Sequence, residues 1–323
     1  MQNFEYASPK TVKEAVAMLG GSWADAAVLA GGTDLLALMK DGVMAPKRVV
    51  NIKDIKELGG ISKSGSNVRI GATVTFDDLT NNALIKSELP SLLEAAHGVA
   101  SPQIRNMGTV GGDICQRPRC WYFRGGHGLL GMSNGKSLIP DGENRYHAIF
   151  PEGPAYFVSA SSLGPALVAL GAKVKVMSAS GSREIAADQF FVVPKSDAER
   201  EIAIQPNEMV TEILVPTGMR NATYEIRQKD ALDWPLATAS VALKMSGNTI
   251  SSAKVVLGHV GPKPHSAVEA EKMLTGKSLD ESTAEAAGKA AVAGASPLSQ
   301  NEYKLQLASV AVKRALLTAG KKA

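Results

Sequence analysis

Two glycine pairs constrain the fold of this chain more than any other feature of its sequence. Gly31-Gly32 follows an apolar run at residues 26–30, and a hydroxyl and a carboxylate come next, at Thr33 and Asp34. A second pair lies about 80 residues further on, in the sequence Thr109-Val110-Gly111-Gly112-Asp113. Because glycine has no Cβ, backbone N–H groups in such a loop can close on an anion, and a following helix start adds a favourable dipole. Each pair alone is also typical of an ordinary strand–turn–helix junction, but together they predict a phosphate-bearing cofactor held between two lobes.

The composition limits the classes of protein to which the chain can belong. Its 323 residues suffice for about two domains, and 45% hydrophobic with 20% charged residues is an ordinary balance for a globular protein. The net charge is only +4 and the chain has no long basic run, which argues against a nucleic-acid-binding protein. No run approaches the roughly 18 apolar residues of a membrane span, and the N-terminus lacks the order of a secretion signal. We therefore expect a cytoplasmic protein.

Hydrophobic periodicity predicts an α/β N-terminal part and an α+β C-terminal part. In the first part we expect helices at 9–19, 90–96 and 163–170, a helix capped by Thr75, and strands at 26–30, 49–52, 68–72, 173–177 and 212–215. In the second part, after about residue 217, we expect strands at 238–245 and 253–260 and helices at 268–274, 282–293 and 303–319. Residues 124–156, here called the irregular segment, are rich in Gly, Asn and Pro, which is typical of a functional or mobile loop.

Several segments together resemble a known protein family. The motifs Ala30-Gly31-Gly32-Thr33-Asp34-Leu35-Leu36 and Arg105-Asn106-Met107-Gly108-Thr109-Val110-Gly111-Gly112 are similar to those of the medium, flavin-binding subunits of the xanthine dehydrogenase and carbon monoxide dehydrogenase family. The opening Phe4-Glu5-Tyr6 and the sequence Asp233-Trp234-Pro235-Leu236 continue the resemblance, which covers essentially the whole chain in the same order.

The resemblance implies an α+β fold in two domains. Residues 1–217 would form an FAD-binding domain of the vanillyl-alcohol-oxidase (PCMH) type, with lobes at about 1–56 and 57–217. Residues 218–323 would form a small α+β domain of the CO dehydrogenase flavoprotein C-terminal type, with a three-stranded sheet.

The resemblance also implies which residues hold FAD. The first loop would line the diphosphate, the second would complete the clamp, and three further segments would approach the cofactor. These residues are Val28, Leu29, Ala30, Gly31, Gly32, Thr33, Asp34 and Leu35; Thr109, Gly111, Gly112 and Asp113; Val99, Ser101 and Ile104; Val210; and Lys229. Many relatives carry a lysine where this chain has Glu225, with Arg227 and Lys229 nearby, so the cation beside the flavin is left open. No residue is assigned as a catalytic acid or base, and no metal site is predicted.

The only two cysteines, Cys115 and Cys120, belong to a further resemblance. The sequence around them is similar to a subgroup of these subunits in which an insertion holds an additional [4Fe–4S] cluster. The positions that correspond to the later cysteines are Gly128, Ser137 and Ala155. A cubane needs four ligands, normally thiolates, so we infer that the insertion is retained and the cluster lost. An alternative is a metal site made by both cysteines with His127 and His147.

The implied function is that of an electron relay. Electrons from [2Fe–2S] clusters of a small partner subunit would pass to FAD and then to NAD⁺, a quinone or O₂, while a large partner subunit with a molybdenum cofactor oxidises the substrate. A dimer of heterotrimers is implied. The alternatives are a stand-alone flavin oxidoreductase and a scaffolding subunit without a redox role. Three adjacent aromatics, Trp121, Tyr122 and Phe123, suit either a wall beside the flavin or a subunit interface.

Overall fold

A computed structural model of the chain describes residues 1–230 and 232–321. The strands are β1 (Glu5–Ala7), β2 (Ala26–Leu29), β3 (Arg48–Asn51), β4 (Ile61–Ser64), β5 (Asn67–Gly71), β6 (Met132–Ser133), β7 (Lys136–Ser137), β8 (Lys173–Ser178), β9 (Gly181–Ala186), β10 (Met209–Pro216), β11 (Arg220–Ile226), β12 (Ala237–Ser246), β13 (Thr249–Gly258) and β14 (His265–Ser266). The helices are α1 (Val12–Ala17), α2 (Leu35–Lys40), α3 (Phe76–Asn81), α4 (Ala83–Glu88), α5 (Pro90–His97), α6 (Pro102–Met107), α7 (Val110–Cys115), α8 (Trp121–Arg124), α9 (Gly164–Ala169), α10 (Ala187–Phe190), α11 (Val268–Leu274), α12 (Glu281–Ala291) and α13 (Tyr303–Gly320).

The N-terminal sheet is parallel and has the strand order β1-β3-β2. Its strands are short apolar runs, and Ala15 and Val16 of α1 pack against Val50 and Ile52 to form a small core. The first glycine loop directly follows the carboxyl end of β2. Ligands of open α/β sheets bind at this end of the strands, so the topology places the loop where a cofactor could reach it.

The second sheet has five antiparallel strands in the order β4-β5-β10-β8-β9. Alternating side chains of these strands and the apolar faces of α3, α5 and α9 bury the largest core of the molecule. Helix α3 begins after Thr75, whose hydroxyl accepts the Asp78 N–H at 3.1 Å while Asp78 reaches back to the Thr75 N–H. The sequence predicted the Thr75 cap, and the structure adds the return bond from Asp78 that makes it a capping box.

The C-terminal sheet has four strands in the order β11-β12-β13-β14, which corrects the expected three. The fourth, β14, is only two residues long and pairs with the end of β13. Strand β11 was absent from the sequence prediction because its sequence, RNATYEI, lacks a clear apolar alternation. Helices α11, α12 and α13 cover the sheet, and many of the buried side chains between them are alanines.

The irregular segment contains only the short β6–β7 hairpin, as its composition predicted, and it is tied to the end of the chain. Lys304 of α13 is 1% exposed, and its ammonium donates to the backbone carbonyls of Tyr146, His147 and His259 at 2.9, 3.2 and 2.9 Å. Burial lowers the pKa of Lys304 to about 7. The fully buried Asn301 donates to three carbonyls of the same segment and so adds to this attachment.

Most predicted elements are present, and the differences are at their ends. The first helix starts after Thr11, which accepts the Glu14 N–H at 3.1 Å, and so it starts later than the Pro9 position that we predicted. Strand β10 begins at Met209, three residues before the predicted start, because its first residues still pair with β8. Across the described parts of the chain, no helix is both long and apolar enough to cross a membrane.

Candidate cofactor site

A cleft of about 390 Å³ lies between the two glycine loops, which is within the usual size range of ligand pockets. Its walls come from the end of β2, the start of α7, the residues between α5 and α6, and the start of β10. The segment after α7 and the stretch Asp233-Trp234-Pro235 complete the lining. The cleft therefore joins all the chain regions in which the resemblance predicted cofactor contacts, except the one at Lys229.

The first glycine loop offers unused hydrogen-bond donors to this cleft. Within the described structure, the backbone N–H groups of residues 31–34 donate to no other residue. Gly32 has φ = 74°, a left-handed conformation that disfavours a side chain. A Cβ on Gly31 would overlap the carbonyl oxygen of Met107, so this glycine is needed for contact between the two loops. Unpaired amides beside a cleft form a suitable cradle for an anion.

The backbone N–H groups of the second glycine pair already donate to other groups of the chain. The Gly111 N–H donates to the Ala72 carbonyl at 2.9 Å, and the Gly112 N–H donates to Thr109 Oγ1 at 3.1 Å, which caps α7. A Cβ on Gly111 would lie 2.9 Å from the Cβ of Ala72. Gly111 thus permits α7 to pack tightly against Ala72, the residue that follows β5. This packing fixes the position of one wall of the cleft.

Asp113 connects α7 to the segment that leads into α9. Its buried carboxylate accepts hydrogen bonds from Ser161 Oγ at 2.6 Å, Leu163 N at 3.0 Å and Ser162 N at 3.1 Å, and from Gln116 Nε2 at 2.9 Å. Burial raises the pKa of Asp113, although every one of these hydrogen bonds lowers it. The carboxylate is therefore committed to holding the protein together, even though Asp113 lies in the cleft lining.

Most of the predicted cofactor-binding residues lie in the lining of this one cleft. They are Val28, Ala30, Gly31, Gly32, Thr33, Asp34, Leu35, Val99, Ile104, Thr109, Gly111, Gly112, Asp113 and Val210. Three others lie outside it: Leu29 packs in a small core with Met39 and Val49, Ser101 caps α6, and Lys229 is exposed. The assignment of individual residues to the cofactor stays a prediction.

Five large side chains in the lining were missed by the sequence analysis: Trp23, Trp234, Arg117, Arg119 and Arg200. The Arg119 guanidinium lies 4.8 Å from the Trp234 ring centroid, and the Arg200 guanidinium lies 4.6 Å from that of Trp23. Arg117 and Arg119 immediately follow the second glycine motif, and this closeness in sequence was the only available signal. Trp234 lies in the motif at residues 233–236 that carries part of the family resemblance, whereas Trp23 and Arg200 come from distant positions that only the fold brings together.

The cysteines do not form a larger ligand group in the described part of the chain. Cys120 Sγ lies 3.2 Å from His147 Nε2, but no cluster of three or more His, Cys, Asp or Glu side chains suited to a metal occurs in residues 1–230 and 232–321. Burial raises the pKa of Cys115 to about 12, so its thiol stays protonated. The loss of a [4Fe–4S] cluster from this segment stays a prediction.

The aromatic triplet lies away from the cleft. Trp121 and Tyr122 line a separate, open surface depression together with Tyr146, while Phe123 is buried in a core beside Leu38. None of the three belongs to the described lining of the main cleft, so their placement does not support a wall beside the flavin.

The position that carries Glu225 is occupied by a buried ion pair. Glu225 contacts the guanidinium of Arg227, and a Cβ on Gly98 would overlap both side chains. The pair therefore packs directly behind Gly98, which lines the cleft. Burial raises the pKa of Glu225 to about 7 against the opposing effect of Arg227. Arg227 is thus the cation that Glu225 contacts.

The fold and the cleft are suited to a protein that holds a phosphate-bearing cofactor beside its first glycine loop. A sequence profile described as the FAD binding domain in molybdopterin dehydrogenase matches residues 2–218, and the CO dehydrogenase flavoprotein C-terminal domain matches residues 222–319. The carbon monoxide dehydrogenase medium chain of Hydrogenophaga pseudoflava is 34% identical over 319 residues, which cover 97% of this chain and 96% of that one. The glyceraldehyde dehydrogenase medium chain of Sulfolobus acidocaldarius is 30% identical over 280 residues, covering 86% and 83%.

A solved structure agrees with these relatives. Reconstituted CO dehydrogenase from Oligotropha carboxidovorans superposes with a TM-score of 0.79 at 28% identity, covering 100% of this chain and 99% of that one. The chain belongs to the FAD-binding medium subunits of the molybdenum hydroxylase family, which includes the CO and xanthine dehydrogenases. The expected α+β fold with these two domain types is confirmed. The unpaired amides and the glycine-lined cleft fit the diphosphate of FAD.

Proposed function

We propose that this chain is the electron outlet of its complex and does not itself oxidise the substrate. In this proposal, electrons come from [2Fe–2S] clusters of a small partner subunit, and an external acceptor such as NAD⁺, a quinone or O₂ removes them. The large partner subunit would carry the molybdenum cofactor, and the assembly would be a dimer of heterotrimers. Bound FAD supplies the chemistry, because a flavin takes up electrons singly and gives them up as a pair.

The proposal rests on the carboxylates in the cleft lining, which are engaged in hydrogen bonds within the protein. Direct oxidation of an organic substrate at a flavin commonly needs a base near it. The carboxylates of the lining are Asp34, Asp113, Glu208 and Asp233, and all of them accept hydrogen bonds from the chain itself. Glu208 is paired with Arg183, and Asp233 accepts the N–H groups of Lys229 and Trp234. No histidine belongs to the lining in the residues that the structure describes.

The work of the chain is therefore binding and positioning. Residues 31–34 line the cleft with amides that donate to no other described residue, and Gly31 permits the second loop to contact the first. Apolar residues such as Val28, Leu35 and Val210 line other parts of the cleft and would exclude water from the bound ring system. Asp113 fixes α7 in place.

The test compares the purified chain with the purified complex. We expect the isolated chain to carry flavin in near-stoichiometric amount, and we expect anaerobic xanthine, benzaldehyde, nicotinate and CO to leave that flavin oxidised. In the complex, the natural substrate should bleach the iron–sulfur absorption and the flavin absorption together. Direct reduction in the isolated chain would instead establish a stand-alone oxidoreductase, and a colourless chain would favour a scaffold. Iron analysis of the isolated chain tests the predicted loss of the [4Fe–4S] cluster.

A matched variant tests the absence of a substrate base. In Asp233→Asn the side chain keeps one oxygen for one of the two backbone N–H groups, and water can bond to the other at this partly exposed position, so turnover of the complex should stay within about threefold of wild type. Loss of a general base typically costs about 10²–10⁴-fold. A loss of that size would contradict the assignment of Asp233 to a structural role.

A further inference from the structure

Four arginines converge beside the first glycine loop, and three of them meet at one carboxylate. Asp34 Oδ1 lies 2.8 Å from Arg124 and 3.3 Å from Arg119, while Asp34 Oδ2 accepts the backbone N–H of Arg117 at 2.8 Å. The Asp34 side chain is only 14% exposed, so these contacts lie largely out of water. The last residue of the loop is thereby joined to the segment 117–124.

The fourth arginine joins through a second carboxylate. Glu201 Oε1 lies 2.8 Å from Arg117 Nε and 3.5 Å from Arg200 Nη2, and the Glu201 side chain is 7% exposed. Since the backbone N–H of Arg117 also donates to Asp34, six residues form one connected group, here called the arginine network: Arg117, Arg119, Arg124, Arg200, Asp34 and Glu201. Its four guanidinium groups outnumber its two carboxylates, which leaves a surplus of two positive charges.

The surplus is largely shielded from water and incompletely hydrogen-bonded, since the side chains of three of the arginines are 11–16% exposed and that of Arg119 is 31% exposed. The Nε atoms of Arg119 and Arg200 are shielded from solvent and donate to no partner among the residues that the structure describes. Burial lowers the pKa of Arg117 to about 10 and also lowers that of Arg119, but both stay charged at neutral pH. A buried charge without a counter-ion is costly, so this arrangement calls for an anion.

The position of the surplus positive charge indicates which anion would bind there. Arg117, Arg119 and Arg200 line the same cleft as the unpaired amides of residues 31–34, and Asp34 belongs to both groups. A diphosphate carries two negative charges, and guanidinium groups bind phosphate oxygens with paired N–H donors. We propose that Arg117, Arg119 and Arg200, together with the amides of residues 31–34, form the binding site for the diphosphate of FAD. The proposal rests on FAD binding and not on the direction of electron flow.

The main test is the affinity of the purified chain for FAD in Arg119→Gln. This variant keeps a hydrogen-bonding side chain, although a shorter one, and removes its charge; the control variant shortens the side chain in the same way. We expect the Kd for FAD to rise about tenfold in low salt, as for the loss of one charge-assisted hydrogen bond, and by a smaller factor in high salt. Arg119→Lys, which keeps the charge, should recover part of the affinity. The matched control is Arg145→Gln, because Arg145 is 54% exposed and contacts Glu143 away from the cleft.

Wild-type protein provides a second test that does not depend on a folded variant. Inorganic pyrophosphate should compete with FAD, and the Kd for FAD should rise with KCl concentration. An Arg119→Gln chain that binds FAD within twofold of wild type, or a wild-type affinity that neither salt nor pyrophosphate changes, would overturn the proposal. Tight, salt-sensitive FAD binding in a complex that fails to reduce its flavin would contradict only the proposed function.

Discussion

The two glycine loops contain the same residue types, a threonine, a glycine pair and an aspartate, but they have different physical roles; the threonine follows the glycines in the first loop and precedes them in the second. At Gly31-Gly32, which line the cleft, the backbone N–H groups are unpaired within the described structure, and Asp34, which follows, contacts arginines. At Gly111-Gly112 the donors are bonded to Ala72 and Thr109, and the aspartate that follows holds the protein's own amides and hydroxyl. The first loop has groups available for a ligand, whereas the second gives the cleft its shape.

The difference shows that a glycine pair indicates a place where another part of the structure comes close to the backbone. It does not by itself show whether that neighbour is a ligand or the protein's own chain. Gly31 is approached by the backbone of the other loop, at Met107, and Gly111 by Ala72. Backbone amides can hold a phosphate only where they remain unpaired after folding. Substitutions in the two loops should therefore separate cofactor affinity from stability, and the largest effect is expected in the first loop.

Gly31→Ala should cause the largest loss. The added Cβ would overlap the Met107 carbonyl, so the two loops would have to separate, and overpacking of this kind costs about 1–3 kcal/mol. Flavin content after purification should fall about tenfold or more, since about 1.4 kcal/mol already changes affinity tenfold. The control is Gly21→Ala, where a Cβ meets nothing within 4 Å. Normal flavin content in Gly31→Ala would mean that the loops need not touch.

Asp113→Asn should lower stability more than cofactor affinity. The new NH₂ group would face donors from Ser161, Ser162 and Leu163, and buried groups left without partners cost about 2–3 kcal/mol. Urea denaturation of the flavin-free chain should show this loss. Asp77→Asn, an exposed change at the start of α3, should show almost none. If affinity falls and stability does not, the second loop would be a ligand-binding loop like the first.

Gly111→Ala should have a smaller effect of the same kind. Its Cβ would lie 2.9 Å from both the Cβ and the carbonyl oxygen of Ala72, which must give way by a few tenths of an ångström. We expect a loss of about 1–2 kcal/mol in the free energy of unfolding, measured by urea denaturation, with the Kd for FAD changed by less than about threefold. A large change in Kd at unchanged stability would be incompatible with a purely structural role for Gly111.

The twin threonines give the finest comparison. Thr109 caps α7 by accepting the Gly112 N–H, so Thr109→Val should cost about 1 kcal/mol of stability and leave FAD affinity nearly unchanged. Thr33 is exposed, lines the cleft and caps nothing in the described structure, so Thr33→Val should leave stability unchanged and weaken FAD binding. Thermal melts with and without FAD would measure both. Identical behaviour of the two variants would remove the distinction between the loops.

The sequence indicated the first loop because local signals mark a strand that runs into a helix, whereas the second glycine pair lies in the first turn of α7 and follows helix α6. The sequence could not show which amides stay free, since the acceptor at Ala72 lies far from Gly111 in the chain and no periodic pattern connects them. The same limit explains the missed arginines. Arg200 and Glu201 lie in a segment that has no regular structure, and only folding brings them to Arg117.

Element prediction failed for related reasons. Strand β11 has a weak apolar pattern of its own, and its pairing with all seven opposing residues of β12 makes it a strand. The cap of α1 moved from Pro9 to Thr11 because a hydroxyl that accepts an N–H is a stronger start signal than a favourable proline φ. The identity of the cofactor was predicted from the resemblance to the family, because hydrophobic periodicity carries no information about it.

Because Lys304 holds the irregular segment in place, this segment can reach its final position only late in the synthesis of the chain. Tyr146 and Lys304 are 158 residues apart, and ribosomes add about 5–20 residues per second, so roughly 8–30 s separate the synthesis of the two partners. During that interval the carbonyls of Tyr146 and His147 have only water to bond. A segment from the first half of the chain is thus among the last to reach its final place, and a nascent chain that lacks its final helix would leave this stretch open to proteases.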